Sequence, residues 1–384
     1  MGHTPPAKKM LLMISPFVSP NIGGVESHID KLLQLLPRVG FNTIVVSYQP
    51  LTTKARGPAV EHRPGIMIQR VGWFGQGWFP KLEPYFPLMF AWLFPRLWLA
   101  ALVTYWRERQ SITVIHAHGL LAATIAKSLK VWLGIRVVVS IHAIYHFSDR
   151  RLLGSLVKWI LHSADAIITV GSPARAELIA MGLAASRIYI LRNWVDLKVF
   201  YPHDQAECRR ALDLQGFVVL FIGRLLAKKG IPLLLEAAQR MPQAIFVFVG
   251  DGPEKATLER ATQRHQNIIF RGKVAESDLV RYYSAADLFA QPALYDEGAA
   301  AVFLEAIACG TPVIASRLGC ASDYLDPSVA ILIEPTVSAL VSALSELYTH
   351  PDRLADMRSA CRAYAEQHYS DRNSEIFLHC YEGK

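Results

Sequence analysis

The stretch "MLLMISPFVSPNIGGVESHIDKLLQLLPRVGFNTIVVSYQ" (10–49) decides the fold. "MLLMISPF" (10–17) is apolar on both faces, which suits a strand covered on both sides of a sheet. It ends in "SPNIGGVE". "SHIDKLLQLLPRVG" then repeats its apolar residues at helical spacing and stops at Gly40. "FNTIVVSYQ" is a second buried strand. Strand, glycine-containing loop, helix and strand make the repeating unit of a parallel, doubly wound α/β sheet.

The unit recurs outward from there. "ITVIHAHG" (112–119), "RVVVSIHA" (136–143), "ADAIITVG" (164–171) and "RIYILRN" (187–193) are strands separated by helices. "WVDLKVFYPHD" (194–204) breaks the pattern, which then restarts with "FVVLFIG" (217–223), "AIFVFVG" (244–250), "NIIFRG" (267–272), "LFAQPA" (288–293) and "PVIAS" (312–316). The expectation is two Rossmann-like domains facing a central cleft: residues 1–196, a linker at 197–204, a second domain at 205–365, and a C-terminal helix at 366–384 packing back on the first. Ligands in such sheets meet the carboxyl ends of the strands.

Composition agrees with a well-buried α/β protein: of 384 residues, 52% are hydrophobic and 19% charged. Five cysteines (208, 309, 320, 361 and 380) form no C-x-x-C pair, and their odd number and wide spacing predict free thiols in a reducing compartment. The first apolar run is too short for a signal peptide, so a cytoplasmic protein is expected. The net charge of +8 is unevenly spread: residues 1–200 hold 22 Lys+Arg against 9 Asp+Glu, a balance of +13, and residues 201–384 hold 18 against 23, a balance of −5. A basic half can face nucleic acid, an anionic membrane or an anionic substrate. No nucleic-acid module is recognisable, so nucleic acid is the weakest of these.

One segment departs from the pattern. Residues 73–106 hold 12 aromatic side chains, among them five of the eight tryptophans, and "PYFPLMFAWLFPRLWLAALVTY" (84–105) has Arg96 as its one charge. Its length could span a bilayer, but Pro84, Pro87 and Pro95 interrupt it. Two readings stay open: a helix resting on the membrane surface, or a buried helix packed on the sheet. The basic first half favours membrane contact, with Trp92 and Trp98 the residues whose replacement tests it.

Loops at strand ends carry the candidate chemistry. "FIGRLLAKKG" (221–230) puts Gly223, Arg224 and Lys229 where a chain enters a helix, a setting for a diphosphate. "FVGDGPE" (248–254) and "FRGKV" (270–274), with Lys273 and Val274, are turns able to bring backbone groups to a flat base. "YDEGAAAVFLEAIACGTPVIAS" (295–316) sets Glu297 and Glu305 in an otherwise apolar, helix-forming run closed by Gly310. An ionised carboxylate there must be exposed, paired or used. It could be a helix-dipole partner, a buried ion-pair partner, or an acceptor for a vicinal diol such as ribose. His116, His118, His142 and His146 have no Cys or acid beside them to complete a metal site, and no metal is expected. The dinucleotide fingerprint G-x-G-x-x-G is missing, which counts against NAD or FAD.

Taken in order and spacing, "GRLLAKKG", "VGDGPE" and "DEGAAAVFLEAIACGTPVIAS" resemble the C-terminal half of the family 4 retaining glycosyltransferases of the GT-B fold, with the two glutamates matching the E-x7-E motif. "GGVE", "VIHAHG", "VVVSIHA" and "RNWVD" have counterparts in the N-terminal half, so the resemblance covers nearly the whole chain. It implies that Arg224 and Lys229, helped by the amides of Gly23 and Gly24, hold a donor diphosphate. Glu305 would take the ribose hydroxyls, Glu297 the transferred sugar, and His118 would lie near the reacting centre. It implies no protein nucleophile, no cofactor and no metal. The chain departs from the family at Ala299–Ala300, where Phe-Gly is common, and that bears on which sugar is taken.

The expected function is transfer of a sugar from a nucleoside-diphosphate sugar, UDP before GDP, to a glycan or lipid-linked acceptor. The alternatives are a sugar-nucleotide epimerase of related fold and a catalytically silent sugar-nucleotide-binding subunit.

Overall fold

The structure is a computed structural model. It describes residues 9–383 apart from 22–23, 52, 54, 76, 83–84, 143–150, 297 and 299–300. The chain forms two compact units: Met1–Thr169 with Ala174–Leu191 and Ile376–Lys384, and Val170–Pro173 with Arg192–Glu375.

The first unit is built on an eight-stranded sheet ordered β3-β4-β2-β1-β5-β6-β7-β8. Its strands are β1 (Lys9–Ile14), β2 (Phe41–Tyr48), β3 (Val60–Arg63), β4 (Ile66–Val71), β5 (Ile112–His118), β6 (Arg136–Ile141), β7 (Ala166–Thr169) and β8 (Ile188–Ile190). The short edge strand β3 is antiparallel to β4, and the other neighbours run parallel. Neither β3 nor β4 is among the strands expected from the sequence. "VEHR" is polar and mostly exposed, as an edge strand can be, and so carries no buried-strand signal.

The second unit has six parallel strands ordered β11-β10-β9-β12-β13-β14. They are β9 (Phe217–Ile222), β10 (Ala244–Val249), β11 (Ile268–Gly272), β12 (Leu288–Gln291), β13 (Val313–Ser316) and β14 (Ala330–Ile333). The edge strand β14 is likewise an addition to the expected set.

The chain passes between units at Leu191 and Arg192, not at 196. Residues 193–204, part of which reads as a linker, are fastened to the second unit. Val195 N–H donates to Tyr369 O at 3.1 Å, and Arg362 donates to Phe200 O at 2.9 Å and Leu197 O at 3.3 Å. Val170–Pro173 joins the same unit because Tyr324 Oη donates to Val170 O at 2.8 Å and Ser172 N–H to Asp323 Oδ2 at 2.6 Å. The expected helix at 366–384 is not continuous. A helix ends at His368, a one-turn 3₁₀ segment spans Asp371–Ser374, and a separate helix Glu375–Glu382 follows. That last helix is held to the first sheet by Arg136 Nε donating to Cys380 O at 2.7 Å and by the Lys9–Glu382 ion pair at 2.9 Å.

The aromatic segment holds the helix Phe86–Glu108. Among the described residues it is the one helix long and apolar enough to cross a membrane by length and composition, over Pro87–Glu108 with mean hydropathy 1.5. One side of it is buried, as the core reading expects, and the other is exposed. Trp92, Leu93, Leu97, Ala101 and Tyr105 are buried in the core, whereas Leu88, Leu99, Val103 and Trp106 are exposed. Pro95 cannot donate within the helical ladder. Beside it Tyr48 of β2 inserts its hydroxyl, donating to Leu93 O and accepting from Leu97 N at 3.1 Å. A sheet side chain thus bridges the Leu93–Leu97 rung of the ladder, just past the proline, and ties the helix down. Trp92 donates its indole N–H to Phe74 O at 3.2 Å and Trp98 donates to Ser128 Oγ at 2.9 Å. The choice of Trp92 and Trp98 as surface anchors is therefore corrected: Trp92 is buried, Trp98 half-buried, and both hold the helix in place.

Candidate active site

In the first unit the site residues sit at the carboxyl edge. β5 and β6 are adjacent and parallel with His118 opposite Ser140, so His142, just past β6, comes level with the loop after β5. His118 Nδ1 and His142 Nε2 are 2.9 Å apart, and their rings meet edge to edge, nearly coplanar, with centroids 5.2 Å apart and planes inclined by 7°. His28, on the helix Gly24–Leu35, brings its ring to 5.3 Å from His142 and 6.3 Å from His118. His116, one layer deeper, shares its two ring nitrogens between Ser140 Oγ and the Tyr381 hydroxyl of the C-terminal helix, each at 2.8 Å.

Burial disfavours the charged imidazolium. It is the leading cause that pushes His116 down to about 3, His142 to about 4 and His118 well below its ordinary value, and the neighbouring histidines lower His116 and His118 further. His116, His118 and His142 are neutral near pH 7. His118 Nε2 is buried and has no hydrogen-bond partner among the described residues, a state that costs about 1–3 kcal/mol unless a ligand relieves it. Gly24 opens its helix with nothing within 4 Å of where a Cβ would stand. Gly23 lies outside the described residues.

The second unit brings its candidates to the carboxyl edge in another way. β9 runs into Gly223 and the exposed Arg224, then a single 3₁₀ turn (Ala227–Lys229) with Lys229 half-buried, then the helix Ile231–Arg240. Two glycines make the close approaches. At Gly250, with φ 142°, a Cβ would stand 1.9 Å from Gly223 O. The glycines of "FIG" and "VGDG" therefore serve first to zip two loops together, with Leu225 N–H donating to Asp251 O at 2.9 Å. At Gly230, with φ 88°, a Cβ would stand 2.2 Å from Pro292 O. That approach, with Leu294 N–H donating to Lys228 O at 2.7 Å, lays the cationic loop against the loop after β12. Lys228 covers the Tyr295 ring at 4.5 Å.

From that loop the chain enters the helix Ala301–Ala308, which carries Glu305. Glu305 Oε2 accepts from the hydroxyl of the fully buried Tyr283 at 2.9 Å. Burial first, and then the nearby Glu305 charge, raise the Tyr283 phenol well above its ordinary value, so it stays a donor. Thr311 Oγ1 donates to Tyr283 O at 2.7 Å and fixes that residue's backbone. Asp296, next to Glu297 in the chain, accepts from Gly319 N–H at 3.0 Å. Lys273 is exposed and Val274 half-buried after β11, on the far side of β9 from Glu305 in strand order. Glu297 and Ala299–Ala300 lie outside the described residues, as does His146. Among the described residues no group of three or more His, Cys, Asp or Glu is arranged to hold a metal ion.

Tyr283, His28 and Tyr381 escaped the sequence reading. Each sits on an ordinary amphipathic helix, where a tyrosine or histidine gives no local sign of the strand-end partner that tertiary packing supplies.

Comparison with known proteins resolves the family. Residues 22–199 match the family model described as Glycosyltransferase Family 4, and residues 205–368 match Glycosyl transferases group 1. The chain belongs to the family 4 glycosyltransferases, and its fold is GT-B. A phosphatidylinositol N-acetylglucosaminyltransferase subunit from Arabidopsis thaliana is 27% identical over 356 residues, 89% of this chain and 74% of that one. A GDP-mannose-dependent monoacylated alpha-(1-6)-phosphatidylinositol monomannoside mannosyltransferase of Corynebacterium glutamicum is 36% identical over 197 residues, 47% of this chain and 52% of that one. The crystal structure of Anabaena HepE in complex with UDP superposes with a TM-score of 0.76 at 20% identity, covering 96% of this chain and 98% of that one.

Proposed function

We propose that this glycosyltransferase is a retaining enzyme that moves a sugar from a nucleoside-diphosphate sugar to a glycan or lipid-linked acceptor in glycolipid or cell-surface polysaccharide synthesis. The observation that carries the donor half is the contact between the cationic loop of Arg224 and Lys229 and the loop leading to Glu305. One edge thereby offers positive charge for a diphosphate and a carboxylate for a vicinal diol. Arg224 and Lys229 stabilise the diphosphate as it leaves, a charge that develops in the transition state. Glu305, held by Tyr283, accepts from the ribose hydroxyls. His118 presents its buried Nε2, without a hydrogen-bond partner among the described residues, to a sugar hydroxyl, and Glu297 binds the transferred sugar. The amides of Gly23 and Gly24 help to hold the phosphate, that of Gly24 from the start of a helix. Lys273 and Val274 meet the base. The donor's own phosphate oxygen takes the acceptor proton while the leaving group departs on the same face, so the scheme needs neither a protein nucleophile nor a metal.

UDP is the favoured base, in keeping with the UDP held by HepE, and GDP is the alternative, in keeping with the mannosyltransferase. The lipid-linked acceptor follows the phosphatidylinositol-directed relatives. Residues 73–106 would meet the cytoplasmic face of the membrane that carries it.

The test is thermal stability of the purified chain with UDP, GDP, ADP and their sugars, without added metal. A ligand at ~100 times its dissociation constant adds about 2.7 kcal/mol. A rise with one base, lost in Glu305→Ala, supports the reading. No rise with any of them sinks it. Product analysis then separates transfer from epimerisation, and the anomeric configuration of the product decides retention.

A further inference from the structure

Three consecutive crossover helices, Phe86–Glu108, Gly119–Leu133 and Arg151–Leu161, lead into β5, β6 and β7. Their connections run the same way across a parallel sheet, and right-handed crossovers put such helices on one face. They touch in sequence: Trp98 donates to Ser128 Oγ, and Lys127 Nζ lies 3.3 Å from the Trp159 ring. Each helix therefore ends at the amino edge of the sheet, opposite the histidine cluster, and each carries a tryptophan in its last turn. Trp106, Trp132 and Trp159 are 53%, 86% and 58% exposed.

Charge on this face is one-sided. Along the three helices Arg96, Arg107, Lys127 and Lys158 stand against one acid, Glu108, while Lys130 is ion-paired with Asp165 at 2.6 Å. Arg109 lies 5.0 Å from the Trp106 ring, so two of the three indoles have a cation beside them.

We propose that this helical face lies on an anionic lipid bilayer, with Trp106, Trp132 and Trp159 seated at headgroup depth. Tryptophan is the side chain suited to that depth, apolar in body and polar at its N–H. Each nearby Lys or Arg adds attraction to an anionic surface. A protein partner fits less well, because the buried centre of a protein interface is depleted in charge, whereas here lysine and arginine alternate with the indoles. The inference rests on the membrane reading of 73–106 and extends it to two helices outside that segment. The long helix would then lie flat, its Leu88–Trp106 stripe downward.

The experiment is co-sedimentation of the full chain with phosphatidylcholine vesicles, with and without phosphatidylglycerol. The variants are Trp132→Ser/Trp159→Ser, the charge reversal Lys158→Glu, and Trp78→Ser/Leu88→Ser within 73–106. Expected are binding to the mixed vesicles only and a loss of roughly tenfold or more in the double tryptophan variant. Lys158→Glu should weaken binding severalfold, and it guards against a folding defect in the double variant. Melting temperature and nucleotide response should stay unchanged in all three. Binding that survives both Trp132→Ser/Trp159→Ser and Lys158→Glu but falls with Trp78→Ser/Leu88→Ser overturns this inference and leaves the reading of 73–106 standing. No binding to mixed vesicles overturns both. Equal binding to pure phosphatidylcholine overturns the anionic requirement.

Discussion

In the first sheet, β5 ends in a histidine and β6 is followed by another, and these rings are hydrogen-bonded edge to edge, largely shielded from water and neutral. In the second, β9 and β11 run out into Arg224 and Lys273, which stand exposed in loops held by backbone and glycine. Both edges are the carboxyl ends of parallel strands, yet one is a packed array of neutral hydrogen-bonding rings and the other a solvated set of full charges. A neutral, hydroxylated sugar suits the first, and a diphosphate the second. The difference also locates fragility: the histidine edge titrates, while the cationic edge can be stripped of charge without loosening a core.

The largest expected effect breaks the neutrality of the first edge. A histidine held below its unfolded value leaves the unfolded chain binding more protons, so stability is complete above about pH 6.5 and falls as pH drops toward the folded values of about 4 for His142 and about 3 for His116. Between roughly pH 7.5 and 5 those two residues together should remove about 4 kcal/mol. Calorimetric melting across that range reads it, and His142→Gln should shrink the slope. A melting temperature indifferent to pH would refute buried, neutral rings.

Next, Arg224→Ala attacks the second edge. We expect kcat/KM to fall roughly 10²–10³-fold, about 2.7–4 kcal/mol of transition-state stabilisation. Because Arg224 is exposed, its melting temperature should hold. A variant that melts early but turns over normally would reverse the comparison.

Gly250→Ala tests whether glycine packing builds the second edge. A Cβ 1.9 Å from Gly223 O cannot be accommodated without moving a loop, and we expect about 3 kcal/mol of destabilisation in denaturant unfolding. An unchanged midpoint would mean the loops are not zipped together.

The smallest effect sharpens the comparison at one hydrogen bond. Tyr283→Phe removes the donor that orients Glu305 and should raise donor KM by roughly tenfold, about 1.5 kcal/mol, with little change in kcat. Equal losses with a donor lacking the ribose diol would show that Tyr283 acts on packing instead.

Legibility followed periodicity. β1, β2, β5 and β6, like β9 and β10 in the second sheet, are apolar runs buried on both faces, so the chain announces them. The edge strands β3, β4 and β14 are polar, short or half-exposed, and they stay silent. Arg224, Lys229 and Glu305 were readable because charge in a glycine-rich or apolar run is conspicuous. Tyr283 was not, since its partner lies 22 residues on in another helix. The long helix carried both of its readings in its composition, and only packing against Tyr48 and β4 decided which side faces the core.

Two doubly wound sheets, the order of their strands along the chain, and a family with its loop motifs could be read from the residues alone, because these rest on local periodicity and fixed spacing. Which tryptophans are exposed, which histidines meet and what holds Glu305 became readable in the folded chain. Each of those is set by the crossing of distant segments, where burial and hydrogen-bond partners are shared between residues that no local pattern connects.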